Sequence, residues 1–421
     1  MRAINPATLK GWIGDGRELA ILDAREEGEF GRSHLFWAVP CPLSRAELRG
    51  RDLLPRLFAR VCCVDGGEGG LAERLAAFLE GTGRGDVSVL EGGTPAWERA
   101  GLVLFSEVNV PSKAFGEWAE HEHGTPSVDA TELDGMRRSG ADVVTFAAAR
   151  GVETIDAAGL QALLAERDRT LYLLDVRDPS EYAAGHLPGS RSAPGGQLVQ
   201  ATDRWIAVRG ARIVLVDDDG VRASMAGGWL RELDGGWEVH ALRARPEDLT
   251  ERGGPRPAHC PEAAAVPVEA ISPEALPASS GAEVVQLPRS LDFREGHIAG
   301  ARWGVRTRLA KLAPFGSDER PVVLAAEDDT VARLAVLELR GLTTKPVRVL
   351  EGGMPAWRAA GLPLRADRRT PPDAECVDTY LRPYDRNEGV EAAMREYLSW
   401  EVDLIREVAR DGDARFGGVR A

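Results

Sequence analysis

Short runs of apolar residues, bounded by charged or glycine-rich turns, recur along the chain. The clearest run is Ile213–Val216, which predicts a buried strand that ends at Asp217 and is followed by a helix from about Arg222. Similar runs occur in RVCCVD at 60–65 and PVVLAA at 321–326. Buried strands that alternate with helical segments predict an α/β fold, with a largely parallel sheet flanked by helices.

The flanks of these runs repeat, which predicts tandem units. A block at 90–104, LEGGTPAWERAGLVL, returns at 350–364 as LEGGMPAWRAAGLPL. A second block is ILDAREEGEFGRSHL at 21–35, LLDVRDPSEYAAGHLPGS at 173–190 and, more eroded, VVQLPRSLDFREGHIAGA at 284–301. The blocks keep their order, so the sequence predicts three units: unit one (1–106), unit two (153–254) and unit three (268–370).

Three segments lie outside these units. Residues 107–152 are either a truncated fourth unit, with a helix near 130–139 and a strand near 142–146, or a plain linker. Prolines and alanines in 255–267 predict an exposed linker. Apolar residues at helical spacing in 371–421 predict a C-terminal helical tail, which we expect to pack on unit three.

The charge and composition of the chain indicate its compartment and exclude some classes of partner. A net charge of -14 argues against nucleic acid or an anionic membrane as a partner. No apolar run reaches the length of a membrane span and the N-terminus has no signal-peptide pattern, so we expect a cytoplasmic protein. The five cysteines form no CxxC spacing, which predicts neither a metal site nor a disulfide framework, and no motif predicts a cofactor.

The loop after each apolar run carries the candidate chemistry. A loop that leads onto a helix N-terminus directs several backbone N–H groups, and the positive end of the helix dipole, at one point. Such a loop can hold an anion. The side chain of its first residue therefore decides what the loop can do.

The three blocks together resemble rhodanese-homology domains, and the whole chain resembles bacterial tandem rhodanese proteins. The resemblance rests on the D-x-R and G-H block, the loop and the L-E-G-G-x-x-A-W block. It implies three tandem rhodanese-like domains plus a C-terminal helix. It also implies a cysteine at the start of an active loop, which takes sulfur from a donor such as thiosulfate and passes it to a thiol acceptor. The N–H groups and helix dipole of the loop favour that thiolate and its persulfide.

None of the loops begins unambiguously with cysteine. Unit two has Asp217, with Arg222 where a substrate-binding cation could lie, although this arginine could equally be solvated. Unit three has Ala326, which lies 24 residues before Leu350. Its loop is acidic, and its D-x-R is replaced by glutamine and proline, so we expect no chemistry there.

Unit one is ambiguous. One register starts its loop at Asp65, which lies 25 residues before Leu90 and leaves Cys62 and Cys63 in the strand as small core residues. The other register starts the loop at Cys63 and makes it the catalytic candidate, ahead of Cys62. That register requires a longer loop and supplies no arginine.

Other repeated residues have structural explanations. We expect the Asp and Arg of each D-x-R to hold neighbouring loops together. The histidine of the G-H turn occurs in all three units, which favours a turn contact over a general base. Trp97 and Trp357 are expected to anchor the last helix of their units in the core.

Two functions remain open. The first is an accessory protein in sulfur metabolism, with degenerate loops, that binds a protein partner or a small anion. The second is an active sulfurtransferase that forms a persulfide on Cys63. A phosphatase-like activity needs cysteine and arginine in one loop, and no unit has both.

Overall fold

A computed structural model of the protein describes residues 1–124, 143–255, 259–277, 281–316 and 319–417. Each unit contains one parallel five-stranded sheet. In unit one the strands are β1 Arg2–Ile4, β2 Leu19–Asp23, β3 Ala38–Pro40, β4 Val61–Val64 and β5 Val87–Leu90. In unit two they are β6 Glu153–Ile155, β7 Leu171–Asp175, β8 Arg191–Ser192, β10 Arg212–Asp217 and β11 Glu238–Arg243, with β9 Val208–Arg209 outside this sheet. In unit three they are β12 Glu269–Ile271, β13 Glu283–Gln286, β14 Arg302–Trp303, β15 Val322–Ala325 and β16 Val347–Leu350.

The strand order is the same in all three sheets. It is β1-β5-β4-β2-β3 in unit one, β6-β11-β10-β7-β8 in unit two and β12-β16-β15-β13-β14 in unit three. The predicted α/β class is confirmed, with three parallel sheets and a C-terminal helix. The sequence did not predict the first and third strand of each unit, because edge strands of two or three residues are too short to show a hydrophobic period. The boundaries of the units stay a prediction.

Helices cover the faces of the sheets. In unit one they are α1 Pro6–Gly14, α2 Glu27–Phe30, α3 Ala46–Leu53, α4 Leu71–Gly81 and α5 Gly93–Arg99. Two more follow, α6 Val110–His123 and α7 Val143–Ala148. Unit two has α8 Ala157–Ala165, α9 Pro179–Ala184, α10 Gly195–Gln200 and α11 Val221–Leu233. The others are α12 Pro261–Ala264, α13 Ser290–Glu295, α14 Asp329–Arg340, α15 Gly353–Ala359 and α16 Val390–Asp411.

The central strands are buried on both faces, which explains their continuous apolar runs. Every residue of β4 and β15 is buried, and in β10 only Arg212 is partly exposed. Helix α4 covers β4 with Ala72, Leu75, Ala76 and Leu79, the i, i+3, i+4 and i+7 positions of one face. Each fully buried leucine on such a face stabilises the fold by about 1.5–3 kcal/mol. This packing fixes the strand end from which each loop starts.

A short strand from unit two joins the sheet of unit one. The two residues of β9 leave unit two and pair antiparallel with β2, so that Arg209 lies opposite Leu19 and Val208 opposite Ala20. Tyr172 of β7 lies in the same junction. Its hydroxyl donates to the Leu53 carbonyl oxygen at 2.6 Å and accepts from the N–H groups of Ala207 and Val208 at 3.2 and 3.1 Å.

The segment between units one and two differs from the prediction. The predicted strand near 142–146 is wrong where the structure describes it, because Val143–Ala148 is helical. A short apolar run such as VVTF suits either a buried strand or a buried helix, and periodicity alone does not separate them. The helix predicted near 130–139 lies outside the described residues. Whether 107–152 is a truncated unit or a linker stays open.

The tail helix α16 forms as predicted but packs elsewhere. It lies against α6, and its buried Leu404 and Val408 join the core that units one and two share. Lys10 of α1 holds its end through ion pairs with Asp411 at 3.2 Å and Asp413 at 2.6 Å. The sequence predicted packing on unit three, because helical spacing shows which face is buried but not which surface covers it. No helix in the described ranges is both long and apolar enough to cross a bilayer.

The Tyr172 hydroxyl provides a test of the junction between units one and two. Tyr172→Phe leaves two buried N–H groups and one carbonyl oxygen without their partner, so we expect a loss of about 1–3 kcal/mol in the free energy of unfolding of these units. Urea unfolding followed by tryptophan fluorescence measures the loss. Tyr384→Phe is the control, because the Tyr384 side chain is exposed. Equal stability of the two variants would contradict this role of the hydroxyl.

Candidate functional site

The loop of unit two is filled by its own first side chain. Asp217 ends β10 and is fully buried. One carboxylate oxygen accepts the N–H of Gly220 at 2.8 Å, and the other accepts the N–H of Ala223 at 2.9 Å. These donors belong to the turn and the first turn of α11, where an external anion would need them. The carboxylate therefore accepts the N–H groups that, by the sequence prediction, would hold an anion.

The charge on Asp217 is not fully stabilised by these bonds. Burial raises the pKa of Asp217 to about 6, although the hydrogen bonds from Ala223 and Gly220 act in the opposite direction. Asp219 follows in the same loop and accepts the N–H of Val221 at 2.8 Å. The carboxyl of Asp219 also contributes to the raised pKa of Asp217. Two carboxyl groups thus share one helix N-terminus.

Arg222 is engaged within the protein. Its guanidinium donates to Glu181 of α9 at 2.6 and 3.3 Å and to Asp218 at 2.9 Å. The hydrogen bond to Glu181 is the largest cause of the raised pKa of Arg222. An arginine held by two carboxylates presents little free positive charge to an anionic substrate. The sequence did not reveal Glu181 as a partner.

The loop of unit one has the same internal carboxylate. Asp65 follows β4, is 4% exposed, and accepts the N–H of Gly67 at 2.7 Å and of Ala72 at 3.0 Å. The LEGG block closes over this loop. A Cβ on Gly93, which has φ +57°, would lie 2.5 Å from the Asp65 carbonyl oxygen and 2.5 Å from the Gly67 nitrogen. Glycine is required there by both the backbone and the close contact.

Cys63 lies inside the strand. Cys62 and Cys63 belong to β4 and neither is exposed to solvent. Burial raises the pKa of the Cys62 thiol to about 12 and raises that of Cys63 well above its usual value. Both groups are therefore thiols at neutral pH, and neither contacts the loop donors that Asp65 uses. The remaining cysteines, Cys41, Cys260 and Cys376, are also free.

The loop of unit three has no side-chain anion at its start. Ala326 is buried, and its carbonyl oxygen accepts the N–H of Met354 at 2.8 Å. Asp328 caps the helix that follows, because its carboxylate accepts the N–H of Thr330 at 2.7 Å. Glu327 pairs with Arg358. The loop is acidic, as the sequence indicated.

The D-x-R pairs tie each strand to the turn behind it. Arg25 donates to both carboxylate oxygens of Asp23, at 2.9 and 2.6 Å, and to the Ser33 carbonyl oxygen at 2.7 Å. In unit two, Arg177 makes the same two bonds to Asp175, at 3.0 and 2.6 Å, and one to the Gly185 carbonyl oxygen at 2.7 Å. Unit three replaces the carboxylate with Gln286, which accepts the N–H of Ile298 at 2.7 Å.

The three turn histidines share one arrangement. Nδ1 of each ring lies 2.9–3.0 Å from the carbonyl oxygen four residues earlier, and each ring stacks on the aromatic side chain of that residue at 3.8–4.1 Å. All three rings are buried, and burial lowers the pKa of His34 to about 3. The pairs are His34 with Phe30, His186 with Tyr182 and His297 with Phe293. This geometry is that of a turn contact.

The predicted site residues are divided among the three units, and Cys63 lies in a strand, not in a loop. Cys63 and Asp65 share unit one, Asp217 and Arg222 share unit two, and Ala326 lies in unit three. Sequence reasoning missed Glu181 and Gly93, which shape the loops from neighbouring elements. The second glycine of the LEGG block recurs as Gly353, where an added Cβ would lie 2.4 Å from the Ala326 carbonyl oxygen. This repeat is the signal that could have revealed Gly93. No cluster of three metal-binding side chains occurs within the described ranges.

Comparison with known proteins supplies the context for these loops. The family model for the rhodanese-like domain matches residues 5–100 and 156–243. The chain is 34% identical to the crystal structure of a thiosulfate sulfurtransferase from Pseudomonas aeruginosa, with 99% of each chain covered and a TM-score of 0.86. A rhodanese-related protein from Thermoplasma volcanium is 22% identical, covering 25% of this chain and all (100%) of its own, with a TM-score of 0.23. No match was found among curated proteins.

The raised pKa of Asp217 predicts a pH dependence of stability. A carboxyl that binds its proton more tightly in the folded state favours folding at low pH, and this contribution is lost as the pH rises from about 4 to 6. We therefore expect Asp217→Asn to gain stability relative to the unmodified protein over this range, by up to about 3 kcal/mol. Urea unfolding of both proteins from pH 4 to pH 8 measures the difference.

Asp248→Asn is the control, because hydrogen bonds from Arg245 lower the pKa of the Asp248 carboxyl, so its effect on stability should not change between pH 4 and pH 8. A stability difference between the unmodified protein and Asp217→Asn that stays constant from pH 4 to pH 8 would contradict the raised pKa.

Proposed function

The chain belongs to the rhodanese family, and we propose that it is a member whose loops in units one and two are closed by carboxylates, so that it serves as an accessory or binding protein in sulfur metabolism. In this proposal units one, two and three are its domains, with the boundaries predicted above, and it works in the cytoplasm. Its partners are a sulfur-bearing small molecule or another protein. The proposal includes neither a cofactor nor a metal.

The occupied loops carry this proposal. A persulfide anion needs the backbone N–H groups at the head of the loop for its stabilisation. In units one and two, Asp65 and Asp217 already accept two such N–H groups each. A carboxylate cannot take over the sulfane sulfur of a donor, because it does not form a stable bond to sulfur in water. Unit three offers Ala326 and an acidic loop, which repels anionic donors.

The burial of Cys63 also supports an accessory or binding role over sulfur transfer. A nucleophilic cysteine is a thiolate that its substrate can reach. Cys63 has no exposed surface, and its pKa is raised by burial. Sulfur transfer at this residue would require β4 to separate from its covering helix.

A second candidate function is thiosulfate sulfur transfer by Cys63. It is favoured by the similarity to the Pseudomonas aeruginosa thiosulfate sulfurtransferase. In this reaction the Cys63 thiolate takes the outer sulfur of thiosulfate and releases sulfite. A thiol or cyanide then removes that sulfur from the persulfide and regenerates the thiolate.

A sulfur-transfer assay separates the two functions. We expect the unmodified protein to form no thiocyanate above the buffer background from thiosulfate and cyanide. Mass spectrometry after thiosulfate treatment should find no addition of 32 Da on any of the five cysteines. Cys63→Ser and Cys62→Ser are assayed in parallel. Turnover that disappears in Cys63→Ser and persists in Cys62→Ser would establish the second function and end the first.

Restoring a nucleophile tests the loop itself. In Asp217→Cys a thiol replaces the carboxylate, and the N–H groups of Gly220 and Ala223 become available to a thiolate. We expect this variant to form a persulfide with thiosulfate only slowly, because the side chain at position 217 is buried and because Asp218 and Asp219 repel the donor. Asp217→Ser is the matched control without sulfur. If Asp217→Cys takes up no sulfur although its fold is intact, the loop is not a retained persulfide site.

A further inference from the structure

A cavity of about 600 Å³ lies away from all three loops. Its walls come from α2 and the end of unit one, from residues 373–388 and from α16. We call it the tail cavity. A volume of this size accommodates a small organic molecule. None of the repeated blocks accounts for it, because two of its walls lie outside the repeats.

Close contacts with glycine build the floor of the tail cavity. The Tyr380 ring packs on Gly31, where a Cβ would lie 2.3 Å from the ring. A Cβ on Gly28 would lie 2.8 Å from the Val377 carbonyl oxygen. The equivalent helix of unit two has Ser180 and Ala183 at these positions. Of units one and two, therefore, only unit one can pack this closely against residues 377–380.

Two of the carboxylates in the wall are already paired. Glu107 accepts the Tyr380 hydroxyl at 2.5 Å and pairs with Lys113 at 3.3 Å. Asp373 pairs with the buried Arg294 at 2.7 Å, and its two carboxylate oxygens accept from the backbone N–H and from the side-chain amide of Asn387, each at 2.8 Å. The other two carboxylates of the wall, Glu388 and Glu396, are exposed at the rim, where water screens their charge.

The cations of the cavity, in contrast, lack carboxylate partners. Arg386 is half-buried, and the one hydrogen bond of its guanidinium within the described ranges goes from Nε to the Leu381 carbonyl oxygen at 3.4 Å. Arg32 at the rim forms no ion pair with any described residue. Both guanidinium groups can therefore donate to a ligand. Guanidinium geometry matches a carboxylate.

Aromatic side chains form another part of the wall. The rings of Trp400 and Tyr397 line the cavity, and Lys113 lies 5.0 and 4.9 Å from their centroids. The wall thus combines flat aromatic surface with N–H donors.

We propose that the tail cavity binds a small aromatic carboxylate. The ring of the ligand lies against Tyr397 and Trp400, and its carboxylate accepts from the Arg386 guanidinium. Binding in the tail cavity does not depend on the sulfur chemistry of the loops, so this proposal is tested independently of the function proposed above.

Indole N–H signals of the ¹⁵N-labelled full chain test this proposal. The chain has ten tryptophans, and Trp400→Phe assigns the Trp400 signal. The probes are 2-naphthoate, the neutral 2-naphthamide and the cationic 2-naphthylmethylammonium. We expect 2-naphthoate to shift the Trp400 signal and to bind about tenfold more tightly than the amide, because a hydrogen bond to a charged group is the stronger one. The cation should leave the signal unchanged.

Variants separate the cavity from the surface. Arg386→Gln should weaken 2-naphthoate binding about tenfold. Arg406→Gln should not change it, because that side chain is 83% exposed. No shift of the Trp400 signal with 2-naphthoate would overturn the proposal, and so would equal or tighter binding of the amide or the cation. Because the three probes are compared on the unmodified protein, the result does not depend on how either variant folds.

Discussion

The structure depends on how each loop satisfies the backbone N–H groups at its helix N-terminus. Asp65 and Asp217 supply two acceptors each from the end of a buried strand. The carboxylate takes the place of a ligand, so these loops keep their shape without one. The neighbouring elements are fitted to this closed form. Gly93 approaches the Asp65 backbone at a distance that no other residue allows, and Arg222 is drawn to Glu181 instead of into the loop.

Much of this fold could be predicted from the sequence, because repetition reveals what a single segment cannot. Blocks that recur in the same order identify the three sheets, and the apolar runs locate β4, β10 and β15. The same reasoning predicted Asp217 and Ala326 as the first residues of their loops. It also left open the register around Cys63, since CCVD can end a strand at either position.

What the sequence could not predict depends on contacts between distant residues. Whether the Asp217 carboxylate turns inward depends on Gly220 and Ala223, and the charge of Arg222 depends on a glutamate in another helix. Helix α16 has the expected amphipathic pattern, yet its partner is α6, since a pattern does not specify what it packs against. Two of the three walls of the tail cavity come from segments outside the repeats. Residues 143–146 show the limit of a short apolar run, which folded as helix.

Unit one is the part of the protein that the others contact. Arg306 of unit three pairs with Glu47, Tyr172 of unit two bonds to Leu53, and Lys10 holds the end of α16. The pairing of β9 with β2 has a consequence for biosynthesis. The ribosome releases the N-terminus first, so β2 emerges long before its antiparallel partner at Val208–Arg209. During that interval the nascent sheet has an open edge, which a second nascent chain or a chaperone can contact until unit two has been synthesised.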